Sequence, residues 1–168
     1  GHGTLLLHTG DLLVTGGEGA SGTLTSAELL RFDSAMGTTD PLPDTRMRNA
    51  ATLLPGGDVL VTGGSTDNTQ SGSLGTTWRY RLGSGWVSAA PMLQPRYLHT
   101  ATLLADGRVL VAGGASASGA TGATAELYDS AANTWTATAS LNNPRHDHTA
   151  TLLANGNVLV SGGTSISA

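Results

Sequence analysis

One phrase returns along this chain at nearly constant spacing, and it restricts the possible folds more tightly than any other feature. Residues 99–114 read His-Thr-Ala-Thr-Leu-Leu-Ala-Asp-Gly-Arg-Val-Leu-Val-Ala-Gly-Gly, and residues 148–163 repeat them almost letter for letter. Eroded copies occupy 49–64 and 2–17. The glycine doublets Gly16-Gly17, Gly63-Gly64, Gly113-Gly114 and Gly162-Gly163 stand 47, 50 and 49 residues apart. A period of this size marks a single supersecondary unit copied along the chain, each copy burying its apolar face against the next.

Within the unit, Leu103-Leu104 and Val109-Leu110-Val111 flank Asp106-Gly107. Asp-Gly between apolar runs predicts a β-hairpin with a type I′ turn, positive φ at both central residues. Asn155-Gly156, Gly56-Gly57 and Thr9-Gly10 hold the same place in the other copies. The two strands, A and B, show little polar alternation, as expected of strands covered on both faces. The doublet then ends strand B, where a positive φ or a close backbone approach excludes a Cβ. A Gly/Ser/Thr-rich loop, residues 115–124, leads to a third predicted strand, Ala125-Glu126-Leu127-Tyr128-Asp129. A turn over 130–133 leads to a fourth, Thr134-Trp135-Thr136-Ala137-Thr138.

Four short strands, a glycine doublet, then Tyr128 and Trp135: this unit resembles the kelch repeat of β-propellers, and the resemblance covers essentially the whole chain. The second copy keeps Tyr80 and Trp86. The first departs, with Phe32 for the tyrosine and Thr39 where the tryptophan is expected. The resemblance implies an all-β fold, a β-propeller of four-stranded kelch blades with strand A innermost. The small Ala51, Ala101 and Ala150 suit converging inner strands, and the bulky Trp135 suits the diverging outer one. The blades are expected at about 2–48, 49–98 and 99–147, with a half-blade at 148–168, an incomplete arc of about three and a half. Propellers close with about 4–8 blades, so the expectation is a segment of a longer propeller whose partners include the remaining blades. A ring of several copies is the other possibility, but it would juxtapose half-blades of the same A–B type, which lack each other's missing strands.

Composition narrows the function. The net charge is −4, all eight basic residues are arginine, and charged residues make up 12% of the chain, against roughly 25% in ordinary domains. Without a basic cluster, no nucleic-acid partner is expected. No apolar run approaches the ~18 residues of a membrane span. The absence of cysteine excludes disulfides and thiol chemistry within these residues. An extracellular or periplasmic location is implied only by the resemblance.

If the D–A connections lie on one face, the longer B–C loops at 18–26, 65–76 and 115–124 share it and the tight A–B turns lie opposite. Loops on a rigid scaffold carry binding residues disproportionately. Arg46, Arg96 and Arg145 each stand three residues before Asn49, His99 or His148. They could ring a channel mouth and grip an anion or sugar. Their recurrence in every copy points instead to an architectural role, satisfying buried polar groups at each blade junction. The residues between them do not repeat: Met47-Arg48, Tyr97-Leu98 and His146-Asp147. Arg48, Tyr97, His146 and Asp147 are therefore the candidate ligand-binding residues. His146 and His148 could share one strand face and hold a metal, but no third ligand stands near them, and none is expected. Asp67-Asn68 lacks the dense oxygen spacing of a calcium loop. Trp78 and Tyr80 are expected to pack between blades, with Arg79 and Arg81 solvated.

No phosphate loop, nucleophile elbow or dinucleotide fingerprint is present. The repeats are similar to the propeller of the galactose oxidase group, which implies as one alternative a fragment of a secreted copper radical oxidase. The cofactor of that group needs a Tyr–Cys cross-link, and this chain has no cysteine, so no copper role is assigned to Tyr97 or His99. The leading expectation is a non-catalytic scaffold, without a cofactor, binding protein or carbohydrate on its loop face.

Overall fold

The structure is a computed structural model, and it describes residues 1–31, 37–67 and 72–165. Among these the chain is all-β, with no helix. The first four-stranded antiparallel sheet orders β1 (Gly3–Leu6), β2 (Leu12–Thr15), β5 (Ala27–Leu30) and β6 (Gly37–Thr38), and the loop between β2 and β5 carries a miniature hairpin of β3 (Glu18–Gly19) and β4 (Gly22–Thr23). That loop is thus hydrogen-bonded upon itself. The second sheet comprises β7 (Ala50–Leu53), β8 (Val59–Thr62), β9 (Thr77–Arg81) and β10 (Gly85–Ala89). The third comprises β11 (Thr100–Leu103), β12 (Val109–Ala112), β13 (Ala125–Asp129) and β14 (Thr134–Thr138). A two-stranded hairpin follows, β15 (His146–Leu152) with β16 (Val158–Thr164). It begins two residues before the expected His148.

The A–B turns correct the sequence reading. In the third sheet the Gly107 N–H donates to Leu104 O at 3.0 Å and the Leu104 N–H to Arg108 O at 2.8 Å. Only Gly107 has a positive φ, +86°, and Asp106 does not. This is a type I turn closed by a left-handed glycine bulge, not a type I′ turn. It demands glycine at one position only, which is why Thr9 is tolerated before Gly10. The same bond pair closes all four hairpins.

The first strands of successive sheets lie side by side: β1 against β7, β7 against β11, β11 against β15. Thr52 Oγ1 on β7 donates to Ala101 O on β11 at 3.3 Å. Apolar layers fill the spaces between sheets. Leu13 and Leu29 of the first meet Val59, Val61 and Tyr80 of the second. Leu60, Ala89 and Met92 on the second meet Val109, Val111, Tyr128 and Trp135 on the third. Both faces of β8 are therefore buried, as the absence of alternation requires. β16 is largely exposed.

Two tryptophans pin the second and third sheets to the connections that precede them. Trp86 pairs across strands with Tyr80 and donates its indole N–H to Asp40 O at 2.8 Å. Trp135 pairs with Tyr128 and donates to Ala90 O at 2.8 Å. In the first sheet, Leu30 opposite Leu12 takes the register that Tyr128 holds opposite Val109. The expected Phe32 lies outside the described residues. Thr39 lies past β6, donating to Ala27 O, and does not occupy the tryptophan's place. Among the described residues no helix is long and apolar enough to cross a membrane.

Candidate functional site

The connections between sheets build the site. Each is stitched first to the loop of its own sheet: the Arg46 N–H donates to Leu24 O, Arg96 to Leu74 O and Arg145 to Gly122 O. Each then crosses to the next sheet, where Met47 bridges Ser65, Tyr97 bridges Ala115 and His146 pairs with Thr164. The connections and B–C loops thus share one face, as expected.

The recurring arginines bind backbone. Arg46 Nη1 donates to Gly63 O at 3.0 Å, Arg96 Nη1 to Gly113 O at 2.6 Å and Arg145 Nη1 to Gly162 O at 2.7 Å. Arg46 and Arg96 are buried and each has a carboxylate: Asp44 for Arg46, and Glu126 at 2.7 Å for Arg96. Glu126 also accepts the Leu93 and Gln94 N–H groups at 2.7 and 3.1 Å. The carbonyl of each arginine closes on the first glycine of a doublet. At Gly113, with φ +64°, a Cβ would stand 2.6 Å from Arg145 O.

The Asn/His position is equally regular. Asn49 Nδ2 donates to Thr15 Oγ1 at 3.0 Å, and His99 Nε2 lies 2.8 Å from Thr62 Oγ1. The third sheet has Ala112 where the second has Thr62, and His148 Nε2 turns to Thr100 Oγ1 at 3.0 Å, the residue paired with Ala112. The hydroxyl comes from either member of one cross-strand pair. Burial, then the nearby Arg96, pushes His99 down to about 3. His148 is lowered for the same leading reason, then by Arg145.

One residue earlier the backbone turns left-handed in every connection: Arg48 at φ +56°, Leu98 at +55° and Asp147 at +53°. Only a few per cent of non-glycine residues adopt such a φ. Here the surrounding bonds impose it. The Arg48 N–H donates to Gly1 O, the Leu98 N–H to Arg48 O and the Asp147 N–H to Leu98 O, at 3.0–3.1 Å. These three residues form a relay linking successive connections, and with His2, Asn49, His99 and His148 they surround a cavity of about 210 Å³.

Of the four candidate residues, Arg48 and Asp147 line this cavity, and Tyr97 and His146 do not. Tyr97 is 1% exposed, its ring 5.9 Å beneath the Arg48 guanidinium, a cation–π distance that steadies Arg48. His146 Nδ1 is buried, 3.5 Å from an Asp147 oxygen. The left-handed Asp147 breaks strand alternation between His146 and His148, so these two do not present one metal-binding face. Among the described residues no three His, Cys, Asp or Glu side chains come together to hold a metal ion. With no cysteine either, the residues present do not fit the copper site of the alternative expectation.

Leu98 escaped the sequence reading because it is apolar. The signal for it was positional, since it fills the slot of Arg48 and Asp147. The cavity also gathers orphaned polar atoms: Arg48 Nη1, Asn49 Oδ1, and Nδ1 of His99 and His148 are buried without a hydrogen-bond partner among the described residues. A buried unsatisfied group costs about 1–3 kcal/mol. Elsewhere, Trp78 donates to Asp44 at 3.1 Å, while Arg79 is not solvated as expected: it binds Asp58 at 2.7 Å and Ser130 O at 3.3 Å. Arg81 is half exposed. Asn68 lies outside the described residues.

Comparison with protein-family models and with curated proteins finds no match for this chain.

Proposed function

We propose that this chain is a segment of a kelch-type β-propeller and a non-catalytic binding scaffold, taking a carbohydrate or a polar protein loop at the mouth lined by Arg48, Leu98 and Asp147. The observation that carries this reading is the contrast between positions two residues apart. Where the architecture needs the same bond in each connection, the side chain is the same: Arg46, Arg96 and Arg145. Two residues later the backbone is again the same in each copy, left-handed, but the side chains are a guanidinium, an isobutyl and a carboxylate. A position whose backbone is fixed and whose side chain is free presents chemistry to something outside the fold.

The mixture suits ligands rich in hydroxyls. A hydroxyl donates once and accepts twice, so a sugar can serve Asp147, Arg48 and the orphaned acceptors and donors around them, while Leu98 offers an apolar patch. The side-by-side sheets and the tryptophan pins support the propeller reading; a protein–loop ligand would use the same groups. The test is binding of the chain to an immobilised panel of hexoses and oligosaccharides, followed by titration of the best probe. Arg48→Ala and Asp147→Ala should each abolish or strongly weaken it, and Arg108→Ala, on the opposite face, should not. Binding unchanged in both cavity variants would remove this site.

A further inference from the structure

We propose that the cleft between the first and second sheets, on the face of the tight A–B turns, binds a guanidinium group supplied from outside the chain. The proposal stands apart from the cavity reading and concerns two complete four-stranded sheets. It rests on one difference between copies. In the second sheet Arg79 stands opposite Leu60 on the face turned to the third. In the first sheet Leu29 stands opposite Leu13 at that register, on the face turned to the second.

Arg79 closes the space between the second and third sheets. Its guanidinium donates to Asp58 at 2.7 Å and crosses to Ser130 O at 3.3 Å. It also lies close enough to the Tyr128 hydroxyl for its charge to oppose the upward push of burial there. That hydroxyl donates to Asn133 Oδ1 at 2.8 Å. The cleft outside these groups is walled by Pro55 and by residues 106–108 and 129–131, and it does not reach Tyr128.

Between the first and second sheets the same acceptors recur without their donors. Leu29 ends in methyl groups where Arg79 carries its guanidinium, and a cleft of about 370 Å³ runs inward past Leu82 to Val59 and Tyr80. The turn after Tyr80 is also shorter: residues 81–85 separate it from Trp86, where 129–134 separate Tyr128 from Trp135, and no asparagine is among them. Tyr80 packs on Trp86 and is 6% exposed, yet its hydroxyl makes no hydrogen bond among the described residues. Leu82 O, the counterpart of Ser130 O, accepts none among them either. Asp11, the counterpart of Asp58, accepts from the side chain of Thr9, which lines the cleft, at 2.9 Å and has no ion-pair partner among the described residues. Arg31 stands near Tyr80, as does Asp40. Arg31 holds the register of Arg81, and Arg81 shares Asp58 with Arg79 at 3.2 and 2.7 Å, so two guanidinium groups on one carboxylate is an arrangement this chain already contains. The missing donor is thus planar and forked, and an ammonium ion, a compact point charge, does not replace it.

A partner protein's arginine and a free guanidinium compound share this chemistry, so both are probed. The tripeptide acetyl-Gly-Arg-Gly-amide and agmatine are titrated separately into the full chain, with acetyl-Gly-Lys-Gly-amide as the control, and backbone amide shifts are followed by NMR. Saturable shifts are expected at Thr9, Tyr80 and Leu82, with a dissociation constant on the order of 1 mM. Tighter binding of the peptide assigns a partner's arginine, and tighter binding of agmatine a free compound; the lysine peptide should produce no such shifts. Asp11→Asn should weaken binding roughly tenfold, the worth of a charge-assisted hydrogen bond, and Tyr80→Phe several-fold. Leu29→Arg should fill the slot from within and abolish binding. Leu29 is buried, so Asp11→Asn and Tyr80→Phe decide the matter even if that variant does not fold. Absence of saturable binding, equal binding of the lysine peptide, shifts that bypass Tyr80 and Leu82, or unchanged affinity in both Asp11→Asn and Tyr80→Phe would each overturn the proposal.

Discussion

Replacing His99 with asparagine should remove a large part of the chain's acid sensitivity. His99 is 7% exposed, lies 2.8 Å from Thr62, and is held at about 3 by burial and then by Arg96. In the unfolded chain it titrates near 6.5. The unfolded state therefore binds more protons than the folded one between those values, and stability falls as pH drops from 6.5 towards 3. Above pH 6.5 the contribution is fully present. From pH 7 to pH 5 the loss is about 2 kcal/mol for this one group, or roughly 4–8 °C in Tm for a chain of this size. The figure is set by the unfolded value, because at pH 5 the folded histidine is still neutral. Asparagine already does this task at position 49, donating to Thr15 at 3.0 Å, so His99→Asn keeps a partner for Thr62 without a titrating ring. Urea unfolding of both proteins at the two pH values isolates the effect, since carboxylates and other histidines are common to both. The wild type should lose about 2 kcal/mol more than the variant. Equal losses would refute the reasoning.

Gly113→Ala should cost far more than Gly162→Ala, because a Cβ at Gly113 would stand 2.6 Å from Arg145 O and one at Gly162 would meet nothing, although both have positive φ. Thermal melts of the pair separate steric from conformational cost, the latter about 1 kcal/mol. Arg96→Met should destabilise by about 3–5 kcal/mol, since it strands the buried Glu126; Arg108→Met, which breaks only the exposed pair with Asp106, should leave the denaturation midpoint unmoved. Trp135→Phe should cost about 1–3 kcal/mol in urea unfolding, through the orphaned Ala90 carbonyl and lost packing.

The repeat made the sheets legible in unequal measure. β13 and β14 match their sequence reading to the residue, because Tyr128 and Trp135 fix a register that the apolar pattern alone leaves loose. The first sheet was harder, since Leu30 replaces the aromatic marker with a residue that any apolar strand could carry. The turn type was misread at Asp106-Gly107: Asp-Gly serves both turn classes, and only the bond from Gly107 to Leu104 distinguishes them. At the cavity, Arg48 and Asp147 were visible as non-repeating polar residues. Leu98 was not, because its role comes from a backbone angle shared with them, and φ leaves no trace in a residue type other than glycine. Tyr97 was drawn in by its chemistry, yet the bridge to Ala115 turns it inward. Arg79 was expected in solvent because Asp58, its partner, sits 21 positions away across the sheet.

All of this depends on separate sheets packed face to face, with their first strands adjacent. Nuclear Overhauser contacts in the labelled protein test that directly. The indole N–H of Trp135 should contact Ala90, that of Trp86 should contact Asp40, and Thr52 should contact Ala101 across β7 and β11. Backbone contacts pairing β10 with β11, or β14 with β15, in place of these would mean that the strands run on as one continuous sheet, and the account would be wrong.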